Sequence, residues 1–145
     1  DIEDTMSVNV KYRGGAMLSY SLIAHSPYEG WKASINGTNG RLEAAEYHSG
    51  LRASDTAYCF HVYNRKGEKI THTIPKVEGG HGGGDERLLR TLFEGTDADP
   101  LGHAAGSFAG AISIMIGISA NKSIAEGRSV TLDELMHLDN YRPGI

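Results

Sequence analysis

A glycine-rich loop around one histidine offers the clearest opportunity for chemistry in this sequence. Glycines occupy five of the seven positions from 79 to 85, and the other two residues are His81 and Asp85. Glycine fills no core and costs chain entropy, so this composition indicates a backbone that turns sharply or approaches another group closely. Two interpretations follow: a loop that faces a substrate or cofactor with His81 at its tip, or a flexible connection between a sheet and a helix.

His81 and Asp85 are also the best-spaced pair for a metal ion, because they stand four residues apart. Folding could add Asp99 and His103, but zinc sites need three or four well-placed ligands, and the spacing here matches no recognised zinc pattern. We therefore expect no metal site. The remaining histidines are scattered, and we expect them to be surface or hydrogen-bonded polar residues: His25, His48, His61, His72 and His137.

Other familiar catalytic patterns are absent from the sequence. It contains no Gly-x-Ser-x-Gly nucleophile elbow, no Gly-x-Gly-x-x-Gly dinucleotide fingerprint and no Gly-Lys-Ser/Thr phosphate loop. Cys59 falls inside a strand pattern, where we expect a small buried hydrophobe rather than a reactive thiol. The residue types and spacings by themselves therefore do not name a reaction.

Composition limits the partners and the compartment. The 145 residues carry a net charge of −4 and no basic cluster of the kind that binds nucleic acid. A single cysteine excludes an internal disulfide, and the cytoplasm is the simplest compartment, although one cysteine is also compatible with export. The chain begins without Met and shows no signal peptide, so we expect it to be cut from a longer protein.

The first two thirds of the chain alternate apolar and polar residues, which is the period of a half-buried strand. Turn signals such as Arg13-Gly14-Gly15 and Gly37-Thr38-Asn39-Gly40 separate the alternating runs. We expect most strands to pair as antiparallel neighbours, the first two as a hairpin. Six strands are predicted, near residues 6–12, 16–24, 31–36, 41–46, 58–63 and 69–74.

The last third of the chain has the period of helices. Asp85 is predicted to cap a first helix that ends at Gly95. Thr131 and Glu134 form the pattern of a capping box, which predicts a short helix to about Leu138. The apolar stripe of the first helix consists of Leu88, Leu89, Leu92 and Phe93.

A second helix is predicted from about His103 to Lys122. Residues 104–120 carry no charge, but the stretch is shorter than the roughly 20 residues of a membrane span and contains several glycines, so we interpret it as a buried helix of a soluble protein. It is apolar on more than one side and is therefore expected to be buried on more than one side. Its small residues predict close packing: Gly106, Gly110, Ser113 and Gly117.

Strands followed by helices indicate a single α+β domain over residues 1–145, a mainly antiparallel open sheet of about six strands with helices packed on one face. The sheet face opposite the helices would carry few Lys and Glu residues, whereas a solvated face normally carries more. We therefore expect self-association through that face into a homo-oligomer. A plain solvated face is the alternative. The polar residues on it would be Ser7, Asn9, Ser19, Ser21, Ser34, Asn36, His61, Thr71 and Thr73.

Four segments, in this order and spacing, resemble one family. They are residues 37–43 (GTNGRLE), 80–85 (GHGGGD), 120–124 (ANKSI) and 126–130 (EGRSV), the last followed by 132–135 (LDEL). Together they resemble the C-terminal domain of the Gfo/Idh/MocA oxidoreductase family, named for glucose–fructose oxidoreductase, inositol dehydrogenase and rhizopine catabolism. The resemblance runs from near Thr5 to Leu138, which is almost the whole chain.

The resemblance implies an NAD(P)-dependent oxidoreductase that acts on a sugar or sugar derivative. In that family an N-terminal Rossmann domain binds NAD or NADP, and the C-terminal α+β domain supplies part of the substrate pocket and the oligomer interface. Neither the nucleotide-binding glycines nor a Glu-Lys-Pro segment with its catalytic lysine occurs here. We therefore expect no catalytic or cofactor-binding residue in this chain, and no activity from this fragment alone.

The resemblance also gives roles to the loop residues. His81 and Asp85 match a His-Gly-Gly-x-Asp loop of a sugar-acting branch, which implies that His81 bonds the substrate or relays a proton. Asp85 would orient His81 or cap the helix. Some members of that branch are NAD-dependent glycosidases, which is one alternative function. A free-standing α+β module that dimerises through its sheet is the alternative from a different class.

Overall fold

The structure is a computed structural model, and it describes residues 3–53, 55–95, 99–102 and 104–136. It contains the strands β1 (Thr5–Lys11), β2 (Met17–Ile23), β3 (Gly30–Gly37), β4 (Gly40–Tyr47), β5 (Ala57–Asn64) and β6 (Lys69–Pro75). A 3₁₀ turn (Gly80–Gly83), helix α1 (Gly84–Glu94), helix α2 (Ser107–Glu126) and a second 3₁₀ turn (Leu132–Glu134) follow. The predicted α+β class, with six antiparallel strands, is confirmed.

The chain forms two compact units. The terminal unit joins Asp1–Ala24 with Asp97–Ile145, and the central unit spans His25–Thr96. The six strands are accordingly divided between two sheets, β1-β2 and β3-β4-β5-β6, where the sequence predicted one. The residues between β2 and β3 include Pro27, which has no backbone N–H to donate, so this link does not continue the ladder.

The predicted hairpin of the terminal unit is confirmed. β1 and β2 pair in register from Thr5 opposite Ile23 to Lys11 opposite Met17. The Tyr12 N–H donates to the Ala16 carbonyl at 2.9 Å and closes the turn. Gly15 supplies the positive φ, 87°, that this short connection needs.

The central unit holds a four-stranded meander in which each strand pairs with the next. The close approach of β5 to the start of β4 depends on Gly40, where a Cβ would overlap the Tyr63 carbonyl oxygen. Tyr47, at the end of β4, is the buried apolar residue of the described parts, with 8% of its surface exposed.

The register gives this sheet one apolar and one polar face. Ile35, Leu42, Val62 and Ile70 stand opposite one another in a single row. Because side chains alternate along a strand, the neighbouring rows lie on the other face. These rows contain polar residues expected there, together with three charged side chains: Ser34, Glu43, His61 and Thr71 in one row, and Asn36, Arg41, Tyr63 and Lys69 in the next.

Cys59 lies on the polar face, opposite Thr73, and its side chain is exposed. The expectation of a buried cysteine was therefore wrong. Alternation along β5 allows only every second residue onto the apolar face, and Phe60 and Tyr58 take those positions.

Helix α1 spans Gly84–Glu94, and Gly95 terminates it, as the sequence predicted. The predicted capping role of Asp85 is wrong, because the residue before the helix is Gly83 and Asp85 lies inside the first turn. The apolar stripe of α1 is exposed, with Phe93 83% exposed. Periodicity predicts which side of a helix is apolar, but it does not show what covers that side.

Helix α2 starts at Ser107, later than predicted, and ends at Glu126. Gly127 follows it with a φ of 64°, and its N–H donates to the Ser123 carbonyl at 2.9 Å. The predicted burial is wrong for the described chain, since Ser119 is the buried residue of this helix and Ile114 is 67% exposed. The predicted close packing is also not seen, because a Cβ on Gly110 or Gly117 would meet nothing. A hairpin and one 3₁₀ turn offer too little surface to cover a helix of 20 residues.

Among the described helices, α2 is long and apolar enough to cross a membrane, with a mean hydropathy of 1.3 over its most apolar window. Length and composition are the whole of that evidence, and the core helix of a soluble protein meets the same criteria.

A cluster of ion pairs follows α2. Arg128 contacts Glu126 at 2.6 Å and Glu134 at 2.8 Å, while the Glu134 carboxylate also accepts the Thr131 N–H at 3.0 Å. The predicted capping box is confirmed, but the helix that it begins is the single 3₁₀ turn Leu132–Glu134. Residues from His137 onward lie outside the described part. The hydrogen bonds from Arg128 and Thr131 lower the pKa of Glu134 to about 2.

Candidate functional site

The loop between β6 and α1 has a left-handed backbone at four positions. Gly79, His81, Gly82 and Gly83 have φ angles of 115°, 50°, 65° and 81°. Among the described residues other than glycine, His81 alone has a positive φ. This conformation costs an L residue roughly 1–2 kcal/mol, and such strain is concentrated at functional sites.

The neighbours of the loop also require glycine. A Cβ on Gly80 would overlap the Asp85 carboxylate. A Cβ on Gly82 would lie 3.0 Å from the Tyr58 hydroxyl oxygen, and one on Gly83 would lie 3.3 Å from Cγ1 of Val77. These contacts favour a turn of defined shape over a flexible connection.

The loop places His81 and Asp85 in direct contact. The His81 Nδ1 lies 2.8 Å and 3.0 Å from the two carboxylate oxygens of Asp85. An ionised carboxylate can only accept, so the hydrogen is on Nδ1, and the Nε2 of the neutral ring is left with its lone pair. The His81 side chain is 86% exposed, so this nitrogen is free to meet a ligand.

This pair can perform two simple steps at Nε2. The neutral ring accepts a hydrogen bond, or a proton, from a hydroxyl, and the protonated ring donates one. The contact with Asp85 holds the ring in a single tautomer and orientation. The orienting role that the resemblance implied for Asp85 stays a prediction, and this contact is the geometry that the role would need.

The described residues contain no group of three or more His, Cys, Asp or Glu side chains that could hold a metal ion. Asp99, one of the possible additional ligands, accepts the Ala104 backbone N–H at 2.8 Å. His103, the other, lies outside the described residues.

A groove bordered by Tyr58 brings together residues that sequence reasoning did not connect. The Arg52 guanidinium lies over the Tyr47 ring, with Cζ 4.2 Å from the ring centroid, and its Nη1 donates to the Tyr47 hydroxyl at 2.9 Å. The Lys76 ammonium lies 5.4 Å from the centroid of the Tyr58 ring. Glu46 and Asp55 also line the groove. These positions come from the ends of β4 and β5, from the segment between them and from the residue after β6, so no local spacing could have revealed them.

The polar face of the four-stranded sheet forms an ordered hydrogen-bond network. Arg41 donates from Nε to Glu43 at 2.7 Å, from Nη1 to Asn36 at 2.9 Å and from Nη2 to Ser34 at 2.9 Å. His61 contacts the Thr71 hydroxyl at 3.1 Å. These side chains are therefore held in place on an exposed surface.

The fold and the loop together define an α+β domain that presents a histidine–carboxylate pair and holds no assembled metal cluster among its described residues. The family model for the C-terminal alpha/beta domain of the Gfo/Idh/MocA oxidoreductase family matches residues 1–132, and the chain belongs to that family. The resemblance inferred from the four segments is confirmed.

One relative is the protein named "Putative oxidoreductase YteT" of Bacillus subtilis (strain 168). It is 44% identical over 145 residues, which cover 97% of this chain and 33% of the relative. The chain thus spans about a third of the curated relative that it matches. No solved structure matches the chain.

Proposed function

We propose that this chain is the substrate-pocket and oligomerisation domain of an NAD(P)-dependent oxidoreductase that acts on a sugar or sugar derivative. Family membership supports the oxidoreductase class. The observation that carries the rest is the His81–Asp85 pair, held by a strained, glycine-dependent turn and open to solvent at Nε2. A sugar hydroxyl is a suitable partner for an imidazole that can either accept or donate near neutral pH.

The cofactor would bind outside this chain. Every described strand pair is antiparallel, so the described residues contain no parallel βαβ unit of the kind that holds a dinucleotide. NAD or NADP would supply the hydride acceptor from an N-terminal Rossmann domain. The contribution of this chain is to bind and orient the hydroxyl and to hold a proton at the His81 Nε2.

We also propose that the polar face of the four-stranded sheet is an oligomer interface. Its side chains are already ordered by the Arg41 network and by the His61–Thr71 contact, so association would cost little side-chain entropy there. The exposed apolar side chains of α2 would be covered by the N-terminal domain in the longer protein. A cytoplasmic location is proposed from the single cysteine.

The test is the kinetics of the longer protein with NAD and NADP across a panel of sugars. We expect His81→Ala to lower kcat/KM by about 10- to 100-fold, the equivalent of one hydrogen bond to a charged or transferring group. His25→Ala, a histidine of the same unit outside the loop, is the matched control and should change kcat/KM less than twofold. Unchanged kinetics in His81→Ala would remove this residue from the site.

The same protein separates the glycosidase alternative. An aryl glycoside that is cleaved only in the presence of NAD, with no net NADH formed, would assign transient oxidation and elimination instead of simple dehydrogenation. Net NADH formation from a free sugar would support the dehydrogenase.

A further inference from the structure

We propose that Tyr58, on β5, is a positioning residue for His81. Its hydroxyl is the contact that sets the left-handed turn at Gly82 against the sheet. The inference rests on the proposed function, because it concerns the same site. It makes the direction of the imidazole depend on a strand residue that is distant from the loop in the sequence.

Tyr58 and the loop are attached to the same pair of strands. Tyr58 stands opposite Ile74, near the end of β6, the strand that leads into the loop. The pairing continues past the strands, since the Lys76 N–H donates to the Thr56 carbonyl at 3.0 Å. The connection to the loop is therefore fixed to β5 beside Tyr58, whose side chain is half-buried.

Two kinds of contact act on the turn. Within the loop, the Gly82 N–H donates to the Gly79 carbonyl at 3.1 Å, which sets the local shape. Toward the sheet, a Cβ on Gly82 would lie 3.0 Å from the Tyr58 hydroxyl oxygen, which is closer than ordinary van der Waals contact. Hydrogen bonds inside a loop do not fix its direction relative to a sheet. The Tyr58 hydroxyl is the sheet contact that can do so.

The direction of the turn decides where the His81–Asp85 pair points. The positive φ angles of His81 and Gly82, 50° and 65°, persist only where the surrounding structure holds them. His81 lies in this turn and Asp85 in the first turn of α1 that follows it, so a displaced turn carries the bonded pair with it. Loss of the Tyr58 contact should therefore redirect the His81 Nε2 while Nδ1 stays bonded to Asp85.

The experiment is a double-mutant cycle in the longer protein. Gly82→Ala places a methyl group against the Tyr58 hydroxyl, so the turn must move. We expect kcat/KM to fall about 10- to 100-fold, because a displacement on the order of 1 Å misplaces the imidazole. Tyr58→Phe removes the hydroxyl and keeps the ring. In that background we expect the loss caused by Gly82→Ala to be at least about fivefold smaller.

Gly83→Ala is the matched control for the cycle. Gly83 has a φ of 81°, close to the 65° of Gly82, so alanine costs similar backbone strain at either position. Its Cβ would meet Cγ1 of Val77 at 3.3 Å, and Val77 belongs to the same connection as the loop, whereas Tyr58 belongs to the sheet. We therefore expect Gly83→Ala to cause the same loss with and without Tyr58→Phe.

Equal relief of both alanine variants by Tyr58→Phe, or relief of neither, would overturn the inference. If the longer protein oxidises no sugar, the proposed function fails, and the same cycle is read from the ¹⁵N signals of His81 in protein labelled at histidine. A displacement of these signals in Gly82→Ala that Tyr58→Phe reverses supports the inference. No displacement, or one that Tyr58→Phe leaves in place, refutes it.

Should Gly82→Ala fail to fold, the contact can be removed from the side of the sheet. Tyr58→Leu should displace the His81 signals and keep the Nδ1–H tautomer. Tyr63→Leu is the control, since it removes the other tyrosine of β5, which lies 5.9 Å from the Lys69 ammonium on the polar face, and it should leave the signals in place. Signals that stay unmoved in Tyr58→Leu, or a lost tautomer, would refute the positioning role.

Discussion

At the scale of single residues, the glycines of the loop serve separate purposes. Gly82 and Gly83 supply positive φ, whereas Gly80 leaves room for the Asp85 carboxylate beside His81. Gly84 does neither, because it has helical angles and a Cβ there would meet its nearest neighbour, the His81 Cβ, at 3.7 Å. Substitutions at Gly80 and Gly84 can therefore distinguish the His81–Asp85 contact, which is proposed to matter for function, from the backbone shape of the loop.

Gly80→Ala should displace the Asp85 carboxylate and break its contact with His81. In the longer protein we expect kcat/KM to fall about as far as in Asp85→Asn, and the ¹⁵N shifts of the His81 ring to show a mixture of tautomers. Gly84→Ala is the matched control and should keep the tautomer and stabilise α1 by about 0.5–1 kcal/mol, measured by urea unfolding. A single Nδ1–H tautomer in Gly80→Ala would contradict this reading of the loop.

At the scale of elements, exposed ion pairs join the segments of the terminal unit. Arg13, in the β1–β2 turn, binds both carboxylate oxygens of Asp133 at 2.9 Å and 3.0 Å. Arg128 holds Glu134 from the end of α2. The two arginines thus hold neighbouring acids of the second 3₁₀ turn. Solvent screens exposed pairs of this kind, so their effect is on local order more than on global stability.

Arg128→Met should raise the pKa of Glu134 from about 2 toward its ordinary value of 4.5, because it removes the hydrogen bond that lowers this pKa most. A depressed carboxylate pKa stabilises the folded state above the unfolded value, and this contribution is lost as the pH falls from about 4.5 toward 2. NMR titration of the Glu134 side chain measures the shift. Arg13→Met, which removes the contact to Asp133 instead, should leave the Glu134 pKa near 2.

At the scale of the whole molecule, both units expose surfaces that a longer, associated protein would cover. The apolar stripe of α1 and the sides of α2 are exposed, and the side chains of the polar sheet face are hydrogen-bonded to one another. Apolar exposure of this extent is characteristic of a contact surface. Under the proposed function, an N-terminal domain and further copies would cover these surfaces.

Thr71→Arg should weaken oligomers of the longer protein. When a face associates with a second copy of itself, an added charge at its centre lies close to the same charge on the copy, and like charges repel. Analytical ultracentrifugation should show the dissociation constant rising by at least about tenfold, which corresponds to about 1.4 kcal/mol. Ser26→Arg, in the loop before β3, adds the same charge away from that face and should leave association unchanged. A strict monomer in the unmodified protein at high concentration would remove the interface from the proposal.

Much of the fold could be predicted because its signals are local. Alternation located all six strands, turn glycines located the β1–β2 and β3–β4 connections, and Gly95 and the Thr131–Glu134 box marked helix boundaries correctly. Asp85 was misassigned as a cap because a carboxylate before a helix has the same local pattern whether it bonds the backbone or a neighbouring side chain. The Asp85 carboxylate binds the His81 imidazole, and the spacing does not show whether the imidazole or the backbone N–H groups of the helix will be its partner.

The sequence by itself determined the antiparallel α+β class, the family and the pair His81 and Asp85, since each depends on residue types at short separations. Only the tertiary structure decided that the strands form two sheets, that Cys59 lies on the polar face and that Arg52 and Lys76 share a groove with Tyr58. The physical reason is that register and burial depend on contacts between distant segments. A local pattern specifies what a segment can form, and its partners specify where its side chains lie.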